Sequence, residues 1–254
     1  MRCPEIARLL LLVCLVIPAL PAVSSAATIT LQTSDGARLE ADWVAPTGAK
    51  RGVLVVLHEY RRDRTVWAPL AAAALKEGLG ILAVDLRGHG ASSKQGKEDW
   101  SKRAASKDTK LFHSMIHDVE AALAFLTKAG WPAEKVVLVG ASVGCSVALH
   151  YGHAHPKSKL AGAVLLTPGQ KYLGLPSTQH VAAWSGRPLL MVVGADESKA
   201  AQALYKLIPD RKRAAVLQVK QKKVHGTRMF GKVPRIEGRL AEWAAHRLGK
   251  KAAN

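Results

Sequence analysis

Short, unbroken apolar runs recur along this chain between segments of helical length. Gly52-Val-Leu-Val-Val-Leu57 is the first, and Ile81–Asp85, Val136–Gly140, Leu160–Thr167 and Pro188–Gly194 follow it. A strand with one wet face alternates apolar and polar residues. A strand apolar at almost every position must be covered on both faces. Helices on either side of a parallel sheet give that cover, and parallel neighbours need long crossovers between them. The intervening segments supply those crossovers. Thr65–Lys76 stops at Gly78, Asp108–Ala129 ends at Gly130, and Ser142–His155 follows the third buried run. Ser198–Ile208 has Ser198 as its N-cap, and Pro234–Leu248 has Pro in its first turn and Gly249 after its end. Ala214–Lys220 reads as a last strand. At the front, Thr28–Thr33 and Arg38–Val44 flank Ser34-Asp35-Gly36, a hairpin signal. The expectation is an α/β chain with a mostly parallel eight-stranded sheet, an N-terminal antiparallel hairpin and helices on both faces. Aromatic residues make up only 5 %, so the core must be built from Ala, Val and Leu. Ala91–Lys107 and Pro168–Gly186 lack a regular pattern, apart from a short helix that fits Ser177–Trp184.

The first 26 residues stand apart. Arg2 and Arg8 flank a basic start, Leu9–Ile17 is apolar, Pro18 and Pro21 end the run, and Ser24-Ser25-Ala26 offers the small residues that a signal peptidase reads. The run is too short to span a bilayer, which takes roughly 20 apolar residues. The reading is a leader over 1–26, cleaved after Ala26, and a single domain over 27–254, with no transmembrane segment after cleavage. Cleavage leaves Cys145 as the one cysteine, so the exported protein holds no internal disulfide. The only asparagine is Asn254, which removes N-glycosylation. Export with neither feature fits a bacterial periplasm or the extracellular space.

Chemistry collects at strand ends. Gly140-Ala-Ser142-Val-Gly144 follows the strand at Val136 and opens a helix. A serine on so sharp a turn is exposed at the carboxyl edge of the sheet, and small neighbours let the backbone close around it. The plain alternative is an N-cap serine in a glycine-rich turn. A serine needs a base, and His225 lies between the last strand and the last helix. The base needs a carboxylate. Asp196 follows the strand at Pro188 and is the first choice. Glu197 is the alternative, set aside because it falls at the start of the next helix, where an acid suits the dipole. Two backbone amides should hold an oxyanion. One is Val143, after the serine, and the other is Tyr60, in the loop His58-Glu59-Tyr60 after the first buried strand.

The chain order Ser142, Asp196, His225, the elbow, and His58 in the oxyanion loop resemble the α/β-hydrolase superfamily across the whole mature chain. Asp85-Leu-Arg-Gly-His-Gly90 with Ser92 is similar to the segment after the fourth strand of its esterases and lipases, and suggests that Asp85 and Arg87 brace neighbouring loops. The chain looks most like the small members without a large cap, such as dienelactone-hydrolase-like enzymes, because Pro168–Gly186 is too short for a lid domain. His58-Glu59 departs from the His-Gly found in many members. The resemblance implies a serine hydrolase of carboxylic esters or thioesters acting on a small acyl substrate without cofactor or metal, with peptidase activity as the runner-up.

Weaker candidates remain. Cys145 lies just past the elbow and reads as a small buried group. His150, His153 and His155 cluster on one helix, and His113 and His117 are four apart, yet neither set has the further ligand that a metal needs. The net charge of +18 is the outlying number. Lysines and arginines crowd Lys94–Lys110 and Arg211–Lys223, which either keep the surface solvated or attract an anionic envelope component. Nucleic acid is disfavoured, because no recognition motif is present. A non-catalytic hydrolase fold that binds an anion through this surface is therefore the alternative to an enzyme.

Overall fold

The computed structural model describes residues 26–249, so the expected leader lies outside the described residues except for Ala26. Strands β1 (Ala27–Gln32) and β2 (Arg38–Val44) form the antiparallel hairpin, and β2 then pairs antiparallel with β4 (Leu79–Val84). Between them in the chain come β3 (Gly52–Leu57) and helix α1 (Ala68–Lys76). A two-stranded ribbon, β5 (Lys94–Gln95) and β6 (Glu98–Asp99), leads to α2 (Trp100–Ala105), α3 (Thr109–His113) and α4 (Ile116–Lys128). Then follow β7 (Val136–Ala141), α5 (Val143–Ala154), β8 (Gly162–Leu166), α6 (Ser177–His180), β9 (Leu189–Val193), α7 (Ser198–Lys206), β10 (Ala214–Gln218) and α8 (Ile236–Gly249). The main sheet has eight strands in the order β1-β2-β4-β3-β7-β8-β9-β10, and every pairing from β4 to β10 is parallel.

The apolar runs fold as their composition demands. All six residues of β3, β4 and β7 are buried. In β3, Val53, Val55 and Leu57 face a core layer closed by Val119, Ala122 and Leu126 of α4 and by Val147 and Ala148 of α5. Leu54 and Val56 face the other layer, closed by Leu70 and Ala74 of α1 and by Leu240 and Ala244 of α8. Each buried Val or Leu contributes about 1.5–3 kcal/mol relative to exposure, so both layers are needed to hold the sheet.

Three segments differ from the sequence reading. The helix expected over Asp108–Ala129 is broken at Ser114 and Met115. There the Ser114 hydroxyl donates to the Leu111 carbonyl (2.9 Å) and competes with the helical ladder. Ala91–Lys107 is not irregular. It holds the β5–β6 ribbon, which turns at Gly96 (φ 57°), and α2, capped by the Asp99 carboxylate on the Ser101 amide (3.1 Å). The last helix starts at Ile236, because Arg235 takes a left-handed φ of 58° after Pro234. The short helix expected near Ser177 is present as α6 and a 3-10 turn over Val181–Trp184.

The bracing expected of Asp85 and Arg87 is visible. The buried Asp85 carboxylate accepts from the Arg64 and Ala91 amides (2.6 and 2.7 Å) and pairs with the Arg64 guanidinium. A Cβ on Gly90 would strike that carboxylate, so this loop needs its glycine. Arg87, 1 % exposed, spans Asp118 on α4 and Asp35 in the β1–β2 turn (both 2.6 Å). The loops after β3 and β4 are thereby tied to the hairpin and to α4.

Candidate active site

Ser142 sits between β7 and α5 with φ 51° and ψ −112°. A non-glycine residue held there costs on the order of 1–3 kcal/mol, which the surrounding packing must supply. That packing is tight. A Cβ on Gly140 would lie 2.4 Å from the Gly144 carbonyl oxygen, and one on Gly144 only 2.2 Å from that of Leu57. Both glycines are therefore required by close backbone approach. The Ser142 amide donates to the Leu166 carbonyl (2.9 Å), which locks the elbow to the end of β8. Cys145 is fully buried, with Sγ 3.2 Å from the Gly140 carbonyl oxygen, and burial pushes its thiol well above the usual range. It is a packing group, as the sequence suggests, and not a nucleophile.

The carboxylate that meets His225 is Glu197, not Asp196. His225 Nδ1 lies 2.7 Å from Glu197 Oε1. Asp196 is exposed and turns back over the end of β9, where its carboxylate accepts from the Lys223 amide (3.1 and 3.2 Å). The reason is local. Glu197 is not inside the helix but at its N-cap, with a non-helical φ of −119°, and its longer side chain reaches across to the His225 loop. Asp196 instead pins the left-handed turn at Lys223 (φ 56°) that aims this loop.

The His225 turn is held from two further sides. Thr167, at the end of β8 with φ 54°, accepts from the Gly226 amide through Oγ1 (3.0 Å). The Thr227 hydroxyl donates to Oε1 of the buried Glu59 (2.6 Å), while Glu59 Oε2 is buried without a partner among the described residues. Sequence reasoning missed Thr167, Thr227 and the inward direction of Glu59. The only signal was an acid where glycine is common.

The loop after β3 is set by His58. Its Nδ1 donates to the Glu59 carbonyl (2.8 Å) and its Nε2 accepts from the Leu86 amide (3.1 Å). Both nitrogens are used only by a neutral ring, and complete burial, with His89 adjacent, lowers its pKa to about 3. Neither the Tyr60 nor the Val143 amide donates to an acceptor among the described residues.

Ser142 and His225 share no hydrogen bond among the described residues. The Tyr172 hydroxyl lies near that of Ser142, and Tyr172 is a residue the sequence reading did not single out. Such gaps commonly tighten only when substrate is bound. Two cavities lie on either side of β7. One, of about 360 Å³, is lined by Tyr60, Arg61, Arg62 and His89 on the loops after β3 and β4. The other, of about 300 Å³, is lined by Thr167, Gln170, Tyr172 and Glu197 on the loops after β8 and β9 and by Lys199 in the first turn of α7.

The histidines set aside as metal ligands do pack together. His180 stacks on His150 and His153 (ring centroids 4.8 and 4.7 Å), and His113 meets His150 edge-on. Among the described residues no group of three or more His, Cys, Asp or Glu is arranged to hold a metal ion. Nor, among them, is any helix long and apolar enough to cross a membrane.

Comparison with known proteins bears on the family and the fold. Residues 48–219 match the family model described as serine aminopeptidase, S33. Protein phosphatase methylesterase 1 from Mus musculus is 28 % identical over 125 residues, which cover 48 % of this chain and 29 % of that protein. The match thus spans less than a third of that relative. Among solved structures, an esterase from Pyrococcus furiosus superposes with a TM-score of 0.69 at 18 % identity, covering 89 % of this chain and 94 % of that one. A dienelactone hydrolase from Anabaena variabilis gives 0.64 at 17 % identity, covering 88 % and 96 %. At these identities the structures speak for the fold alone.

Proposed function

The chain belongs to the serine aminopeptidase S33 family of the α/β-hydrolase superfamily, and from that premise we propose that it is an exported serine hydrolase cleaving carboxylic esters or thioesters through an acyl-enzyme on Ser142. The observation that carries the reading is the pairing of a strained serine elbow with a histidine whose Nδ1 is held at 2.7 Å by Glu197. Glu197 fixes the tautomer in which Nε2 is free to accept the Ser142 proton, and it stabilises the imidazolium that results. Ser142 Oγ then bonds to the carbonyl carbon. The carbonyl oxygen becomes an oxyanion, held by the amides of Val143 and Tyr60. As the intermediate collapses, the bond to the leaving group breaks and His225 returns its proton to that group. Water, activated by the same histidine, releases the acid.

The family name favours a second reading, an aminopeptidase. Such an enzyme must hold the substrate's α-ammonium near the scissile bond. Among the described residues the acids around the site each hold a hydrogen bond, Glu197 with His225, Glu59 Oε1 with Thr227, Asp196 with the Lys223 amide and Asp63 with the Thr65 amide, so none is poised solely for an ammonium. Along the flanking cavities Arg61, Arg62 and Lys199 outnumber Asp63 and Glu197, which disfavours a substrate cation there. Ester hydrolysis is therefore preferred. The test is turnover of p-nitrophenyl esters of increasing acyl length, and of amino-acid p-nitroanilides, by the protein and its Ser142→Ala variant. Ester turnover that vanishes in the variant supports the proposal. Turnover of the anilides alone favours the peptidase, and activity surviving in Ser142→Ala refutes both. Neither activity, with salt-sensitive binding to an anionic polymer, favours the non-catalytic alternative.

A further inference from the structure

We infer that the Tyr172 hydroxyl donates a hydrogen bond to the departing oxygen of the substrate, and so helps the site expel poor alcohol leaving groups. This rests on the ester-hydrolase reading. Tyr172 stands on the loop after β8, and its hydroxyl neighbours that of Ser142. Its ring meets that of His225 edge-on, with centroids 6.4 Å apart and planes at 83°. The leaving oxygen must lie close to Ser142 Oγ and within reach of His225, and the Tyr172 hydroxyl borders that spot.

Sheet order separates this hydroxyl from the oxyanion donors. Tyr60 follows β3, on one side of β7, whereas Tyr172 follows β8, on the other. Tyr172 also lines the cavity that Glu197 lines, on the histidine side of the site. The side that returns the proton is the side on which the alcohol departs.

The loop is built to hold the phenol still. Tyr172 and Leu175 exchange backbone hydrogen bonds (3.3 and 2.8 Å) around a turn with Leu173 at φ 49° and Gly174 at φ 91°. His113 on α3 donates through Nε2 to the Gly174 carbonyl (3.2 Å). A Cβ on Gly169 would lie 2.6 Å from the Tyr172 ring, so the chain yields its side chain there to seat the phenol. Burial pushes the phenol up to about 12, so it keeps its proton and acts as a donor throughout the working range. Its other partner is weak, a 3.5 Å contact with the Thr167 carbonyl, so the donor is available.

Proton bookkeeping is unchanged by this role. The carbon–oxygen bond breaks, the alkoxide oxygen takes its proton from His225, and Tyr172 shares but does not give up its own. A p-nitrophenolate leaves without such help, and an alkoxide does not. The test is kcat/KM, which reports the acylation step in which the alcohol departs, for an ethyl and a p-nitrophenyl ester of the same acid, by the protein and its Tyr172→Phe variant. The expected result is a fall of roughly 10–100-fold on the ethyl ester, with the p-nitrophenyl ester kept within about 3-fold. An equal fall on both esters, or a gain on either, overturns the inference in favour of a packing role or a restraint on Ser142. Should the variant not fold, 3-fluorotyrosine at position 172 replaces it. A more acidic phenol should then raise the ethyl rate alone, and an unchanged ratio of the two rates overturns the inference. A protein inert toward both esters refutes the ester-hydrolase reading, and this inference with it.

Discussion

Replacing Glu197 by Gln should cost far more activity than replacing Asp196 by Asn. The Glu197 oxygen sits 2.7 Å from His225 Nδ1, a charge-assisted distance. An amide in its place can turn its NH₂ toward Nδ1, which favours the wrong tautomer and leaves the imidazolium without a counter-charge. In a buried triad that change lowers kcat by roughly 10⁴-fold. Here Glu197 is 32 % exposed along its side chain, so water replaces part of the loss and about 10²–10⁴-fold is expected, or about 2.7–5.4 kcal/mol of barrier. Asp196→Asn keeps an acceptor oxygen for the Lys223 amide and stays within about 3-fold, since nothing touching His225 changes. The assay is kcat on a p-nitrophenyl ester at saturating substrate, with circular dichroism to establish that each variant is folded. The reasoning is refuted if Asp196→Asn is the more damaged protein, or if Glu197→Gln retains more than a tenth of the activity.

Other outcomes follow from the same geometry. Gly144→Ala should not accumulate as folded protein, because its Cβ would meet the Leu57 carbonyl oxygen at 2.2 Å and backbone cannot yield cheaply; soluble yield and CD report it. Asp118→Ala leaves the buried Arg87 guanidinium with Asp35 as its remaining carboxylate and should cost about 2–3 kcal/mol, lowering Tm by roughly 5–10 °C in a domain of this size; a drop below 2 °C would contradict the bracing. Stability should fall as pH drops below about 6.5, because His58 and His180 stay neutral when folded, at about 3 and about 4, and take a proton when unfolded. Burial is the leading cause for both rings. The loss starts near the unfolded value of 6.5 and continues until the folded values are reached, and for fully buried His58 it totals on the order of 5 kcal/mol. A Tm constant from pH 7.5 to 5 would argue against it.

The layered architecture was legible because it is written in composition: a run such as Val53–Leu57 has no wet face, so helices had to cover it twice. The elbow was legible because its glycines are needed for backbone contact, which spacing reveals. What sequence could not give was direction. Asp196 and Glu197 are adjacent acids after one strand, and only the N-cap geometry of α7 and the turn at Lys223 decide which one faces His225. Tyr172 carried no local pattern either, since its place depends on a strained loop and on Gly169 making room. The break at Ser114 was hidden because composition on both sides is helical and one side-chain hydrogen bond ends the first piece.

The proposed reaction requires Ser142 to be an activated nucleophile. Reaction with a fluorophosphonate, read by intact mass and peptide mapping, reports this. The expected result is a single adduct on Ser142 in the folded protein, slowed at least about 100-fold in His225→Ala. No adduct, an adduct on another residue, or labelling indifferent to His225 would contradict it.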